Sequence, residues 1–156
     1  MKNLVIGQSG GPTAVINASL YGAVKAFKES GTDGHVLGMI NGIEGFLADH
    51  VMDLSTDLSD EELELLKLTP AAYLGSCRYK LPADLESEVY PAIFDNFREM
   101  NIGYFLYVGG NDSMDTVDKL SRYAEKIGSD VKFIGIPKTI DNDLVLTDHR
   151  SEERRV

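Results

Sequence analysis

Two segments of this chain carry more chemistry than a packing turn requires. Residues 104–108, Tyr-Phe-Leu-Tyr-Val, run into Gly109-Gly110-Asn111-Asp112-Ser113; residues 132–136, Lys-Phe-Ile-Gly-Ile, run into Pro137-Lys138-Thr139-Ile140-Asp141-Asn142-Asp143. Each is an apolar run of β character ending in a tight turn of carboxylates, amides and small residues. In open α/β sheets such turns lie at the carboxyl ends of strands, where ligands bind. Gly109 and Gly110 permit close backbone approach, Ser113 and Thr139 add hydroxyls, and Lys138 adds a cation. Asp112, Asp141 and Asp143 add acid–base and metal-binding capacity. This set of groups suits phosphoryl transfer, which needs charge met at phosphate oxygens and a proton taken from an attacking hydroxyl.

Each feature also has a plainer explanation. Asp112 and Ser113 are common helix caps, and Asp141 with Asp143 could be an Asx-turn pair. A carboxylate beside a phosphate is repulsive unless a metal or a lysine intervenes. Lys138, on the neighbouring strand end, can offset the charge of Asp112. Asp141 and Asp143 could then divide the roles of base and supporting carboxylate. An earlier turn, Gly7-Gln8-Ser9-Gly10-Gly11-Pro12, separates a strand-like run from a helix N-terminus, a favourable place for phosphate. It lacks the spacing of a dinucleotide fingerprint or a P-loop, so a structural turn and a phosphate cradle fit it equally well. Arg78, in Gly75-Ser76-Cys77-Arg78, could fork onto phosphate oxygens, although a lone arginine is more often a surface residue. Cys77 reads as a small buried side chain, with no histidine near it in sequence to activate the thiol.

The elements that position these turns follow from periodicity. Residues 2–6 predict a short buried strand, and Pro12 suits the first turn of the helix that follows. Val15, Ala18, Ser19, Gly22, Ala23, Ala26 and Phe27 recur at helical spacing and predict a small-residue face against a sheet. Residues 36–40 predict a second strand, and residues 51–54 a short strand near a sheet edge. Ser59 or Asp60 can cap a helix through Leu63, Leu66 and Leu68 that Pro70 stops. Leu85, Val89, Ala92, Ile93, Phe97 and Met100 mark a longer amphipathic helix. A further helix, with Val117, Leu120, Ala124 and Ile127 inward, separates the two strongest strands, 104–108 and 132–136. Strands alternating with helices predict an α/β fold: a Rossmann-like parallel sheet with helices on both faces.

Composition sets the bounds. The 156 residues fit one domain, 43% apolar and 26% charged. No apolar run approaches the ~20 residues that span a bilayer, and residues 4–6 lack the flanks of a signal peptide. A single cysteine excludes an intrachain disulfide and suits a cytoplasmic location. The formal charge of −10 argues against a nucleic-acid partner. It leaves a polyanionic substrate open, because local cations and helix N-termini govern a site more than net charge does.

Gly10-Gly11-Pro12 with Asn17, Gly75-Ser76-Cys77-Arg78, Gly109-Gly110-Asn111-Asp112-Ser113 and the run from Pro137 to Asp143 together resemble the 6-phosphofructokinases, in order and spacing, over residues 1–148. The resemblance is to the pyrophosphate-dependent branch. ATP-dependent members typically carry glycine at the positions matching Asp112 and Lys138, which leaves room for a nucleotide's α-phosphate and ribose. The resemblance implies that Asp141 is the general base for the C1 hydroxyl of fructose 6-phosphate. It places Thr139, Ile140 and Asp141 at the sugar with Asp143 in support, Gly11, Arg78 and Lys138 at the diphosphate, and Asp112 as the residue excluding ATP. It also implies Mg²⁺ at the position of Asn111, where many members carry aspartate, and a homo-oligomeric full-length form. An ATP-dependent phosphofructokinase, an NAD-kinase-like enzyme and a non-catalytic phosphate-binding module stand as alternatives. The family pattern breaks after Asp148-His149. Residues 1–149 are therefore expected to form the donor-binding lobe and residues 150–156 an aberrant charged tail. The second lobe is expected to be absent and turnover negligible.

Overall fold

The computed structural model describes residues 2–11, 13 and 15–138. The chain runs β1 (Asn3–Gln8), α1 (Ile16–Glu29), β2 (Val36–Met39), α2 (Gly42–Leu47), β3 (Val51–Asp53), α3 (Leu54–Asp57), α4 (Asp60–Leu66), α5 (Val89–Glu99), β4 (Ile102–Gly109), α6 (Asn111–Ile127) and β5 (Lys132–Pro137). The strands form one five-stranded sheet in the order β3-β2-β1-β4-β5. β1 pairs in parallel with both β2 and β4, and β4 with β5. The carboxyl ends of β1, β4 and β5 therefore lie side by side at one end of the sheet.

Alternation along the central strands feeds two cores. Val5, Phe105 and Tyr107 point to one face, under α2, α5 and α6, where Ile43, Phe46, Ile93, Phe97 and Leu120 pack. Leu4, Ile6 and Val108 point to the other, under α1, α3 and α4, with Ile16, Leu20, Val24, Leu54 and Leu63. The α/β layering with helices on both faces agrees with the periodicity, but the sheet is not wholly parallel. β3 pairs antiparallel with β2. Residues 40–50 hold only the six-residue α2, too little chain for a crossover to a parallel strand, which takes a dozen residues or more.

Three other expectations change. β1 runs through Gly7 and Gln8, because its pairing with β4 continues to Gln8 opposite Val108. The core face of α1 centres on Ile16, Leu20 and Val24, with Ala23 and Phe27 of the expected stripe partly buried beside them, while Gly22 and Ala26 face solvent. Branched side chains bury more apolar area than alanine or glycine, so they decide which way the helix turns. α4 ends at Leu66, and Leu68 is 81% exposed beyond it. The expected place of Pro12 in a helix lies outside the described residues.

Candidate active site

The site is built at the carboxyl ends of β1, β4 and β5. Ser9 N–H continues the β1–β4 ladder by donating to Val108 O at 2.9 Å, and Gly10 then turns the chain with φ of +76°. β4 ends at Gly109, where a Cβ would stand 2.0 Å from Ser113 Oγ, so only glycine lets α6 start this close to the strand. α6 brings its positive dipole end to the same place. Lys138 N–H donates to Gly109 O at 2.9 Å, which extends the β4–β5 pairing and sets the lysine beside the first turn.

These turns enclose a cleft of about 300 Å³ lined by Ser9, Gly10, Gly11, Cys77, Arg78, Tyr79, Gly110, Asn111, Asp112, Ser113 and Lys138. A Cβ on Gly11 would meet nothing within 4 Å, so the protein's own packing does not require glycine there. Space is left where a ligand would come against the backbone. A larger cleft of about 510 Å³, lined by Lys2, Arg98 and residues 127–131 among others, lies at the amino ends of the parallel strands. That is the end of such a sheet where ligands do not usually bind.

Lys138 is the distinctive group. It is buried, its ammonium donates to Gly11 O, and among the described residues it has no carboxylate partner. Burial, and then the nearby charge of Arg78, hold its pKa below the ordinary 10.5. Two neighbouring cations beside a helix N-terminus attract an anion, and its arrival would favour the ammonium form of Lys138. Asp112 lines the same cleft, but its ion pair is with Lys80, at 3.5 Å, and both side chains are largely exposed. Lys80, which was not singled out in the sequence, is thus the ion-pair partner of Asp112 among the described residues, while Lys138 lines the same cleft. Beneath the cleft, burial raises the pKa of Tyr107, whose hydroxyl accepts from Ile43 N–H at 3.3 Å and lies 3.8 Å from Cys77 Sγ.

Of the residues singled out in the sequence, the fold brings Gly11, Arg78, Asn111, Asp112 and Lys138 to one cleft. Thr139, Ile140, Asp141 and Asp143 lie outside the described residues, as does the charged run 150–156. Cys77 is buried, as a packing residue would be. Sequence reasoning missed Lys80, Tyr79 and Ser9. Lys80, two positions beyond the arginine, is the only one of these with a signal that could have been followed. Among the described residues no three histidine, cysteine or acidic side chains cluster as a metal cage. The oxygens of Asn111 and Asp112 at the cleft fit the looser mode of magnesium, which takes one or two protein oxygens and otherwise waters and phosphates. No described helix is long and apolar enough to cross a membrane.

Comparison with known proteins agrees with the geometry. The phosphofructokinase family model matches residues 3–150. The pyrophosphate–fructose 6-phosphate 1-phosphotransferase of Halomonas elongata is 45% identical over 150 residues, covering 94% of this chain and 35% of that protein. The enzyme of the same name from Rhodospirillum rubrum is 41% identical over 146 residues, again 94% of this chain and 35% of that protein. The crystal structure of pyrophosphate-dependent phosphofructokinase from Nitrosospira multiformis superposes with a TM-score of 0.86 at 41% identity, covering 94% of this chain and 36% of that one. The chain thus spans about a third of the length of the curated relatives it matches.

Proposed function

This chain belongs to the phosphofructokinase family, and from that premise we propose that it is the donor-binding lobe, residues 1–149, of an enzyme transferring phosphate from pyrophosphate to fructose 6-phosphate. The observation that carries the reading is the buried Lys138 ammonium beside Arg78 with no described carboxylate to pair with, in a cleft that also holds Asp112. Such a site binds a compact polyanion. A nucleotide would have to carry its α-phosphate and ribose past the carboxylate of Asp112, which repels one and obstructs the other.

In this reading Gly11, Arg78 and Lys138 hold the diphosphate. Asp141 takes the proton of the sugar's C1 hydroxyl as that oxygen attacks the terminal phosphorus. The new O–P bond forms as the bridging P–O bond breaks, and inorganic phosphate leaves with its charge met by Lys138 and Arg78. Thr139 and Ile140 contact the sugar, and Asp143 supports Asp141. Asn111, with Asp112, would hold Mg²⁺, which when bound neutralises phosphate charge. The single buried cysteine is consistent with a cytoplasmic protein, and a homo-oligomeric whole protein belongs to the same reading.

The test is donor preference in a full-length form carrying both lobes. Pyrophosphate should support turnover with fructose 6-phosphate while ATP is a poor donor, and the double variant Asp112→Gly with Lys138→Gly should shift the ratio of kcat/KM values toward ATP by at least about tenfold, roughly 1.4 kcal/mol. Efficient turnover with ATP by the unaltered protein, or an unchanged ratio in the double variant, would overturn the assigned roles.

A further inference from the structure

Arg78 belongs to none of the strands that frame the cleft. It lies midway along a segment without helix or strand, residues 67–88, that must be placed by something other than a sheet ladder. Two side chains do this, and neither lines the cleft: Gln8, on the last turn of β1's ladder, and Asn17, in the first turn of α1, both 0% exposed. Asn17 Nδ2 donates to Thr69 O at 2.8 Å and to Ala71 O at 2.5 Å, while its Oδ1 accepts from Tyr73 N–H at 2.9 Å. Gln8 Oε1 accepts from Leu74 N–H at 2.9 Å, and Gln8 Nε2 donates to Asn17 Oδ1 at 3.0 Å and Ile16 O at 3.2 Å. The amide of Asn17 thus has both donors and both acceptor positions in use. Nearer the cleft, Ser9 Oγ donates to Cys77 O at 3.0 Å and Ser76 Oγ to Gly10 O at 2.7 Å.

We propose that Gln8 and Asn17 form a buried amide latch that positions Arg78 over the donor cleft by binding the backbone of residues 69–74 to the phosphate-cradle end of β1 and α1. Four backbone groups of one irregular segment converge on two fully buried amide side chains. Apolar residues at both places would be cheaper unless the segment had to be held, because buried amides are costly when unpaired and directional when paired. The segment also resists its own placement. Ala71 sits in the left-handed region, φ of +66°, which a side chain with a Cβ adopts only when its surroundings hold it there. The latch is therefore a positioning device: its side chains act on the ligand through Arg78, not by touching it.

This inference rests on the functional reading only for the identity of the anion, and its test separates the two. The full chain and its Asn17→Leu variant, close in volume but without the amide, are compared for binding of Mg²⁺-pyrophosphate and for the titration of Lys138, followed by NMR of ¹³C-labelled lysine side chains. Loss of outer-shell groups that orient a ligating residue costs about 10–100-fold at metal sites, and on that scale the variant should bind at least about tenfold more weakly. Because Arg78 lowers the pKa of Lys138, release of the arginine should also move the Lys138 titration upward, with circular dichroism showing the fold intact. An unchanged titration and affinity would overturn the latch. If the unaltered chain binds no pyrophosphate, the functional reading falls, while the Lys138 titration still decides the latch. Should Asn17→Leu not fold, hydrogen exchange in the unaltered chain decides it. The amides of Tyr73 and Leu74 should exchange as slowly as those of the sheet, and exchange as fast as an exposed turn would refute the proposal.

Discussion

Lys138 shows how one residue couples charge and burial. Its folded pKa is lowered, by burial first and Arg78 second, so the unfolded chain binds the proton more tightly. The sign follows from linkage: the cost of burying the ammonium is fully present below the depressed pKa and fades as pH rises from there toward 10.5. A bound polyanion reverses the preference, because it favours the charged form. Pyrophosphate affinity should therefore fall as pH rises through the depressed pKa of Lys138. A Lys138→Arg chain, charged throughout, should lack that component of the fall. Calorimetric titrations across the alkaline range provide the check, and identical profiles for both chains would remove the lysine from the donor site. The place of Lys138 at the cleft was legible in its position after a strand-ending proline. Its partners were not. Lys80, which pairs with Asp112, lies in a segment whose path no local pattern specifies.

At the scale of elements, caps and strong periodicity could be read and short pieces could not. Ser59 caps α4 through a reciprocal capping box with Glu62, as its place before an apolar-periodic run suggested. α2 and α3 went unforeseen because six and four residues hold too few turns for a periodic signal. Asp53 starts α3, its carboxylate accepting from the N–H groups of Ser55 and Thr56 and lying 2.7 Å from His35 Nδ1. Burial pushes the pKa of Asp53 up, but the hydrogen bonds from Ser55 and His35 outweigh it and hold the group below 3.8. The stability from this ionised cap is fully present above the unfolded value of 3.8 and is lost as pH falls through the lowered folded value. Asp53→Ala should cost ~0.5–2 kcal/mol in urea unfolding at neutral pH, and the difference between the two chains should narrow below pH 3.8. A difference that stays constant into acid would assign the cost to packing instead.

Over the whole molecule, the sheet is covered unevenly. On the face that α1 covers over β1, Leu106 and Ile136 are partly buried, while Tyr104 and Ile134, on adjacent strands β4 and β5, are 40% and 51% exposed. β5 is also an edge of the five-stranded sheet. An edge strand with exposed apolar side chains invites association, so Ile134→Thr should lower the concentration-dependent light scattering of the chain without loss of thermal stability; unchanged scattering would place the association elsewhere. Strand and helix order, the α/β class and the glycine- and carboxylate-rich turns could be read from residue order, because period, turn chemistry and apolar runs are local properties. The direction of β3, the buried face of α1, the pairing of Asp112 with Lys80 and the hold of Gln8 and Asn17 on residues 69–74 could not. Each depends on which distant groups meet once the sheet has assembled, and that is decided by competition among many burials and hydrogen bonds at once.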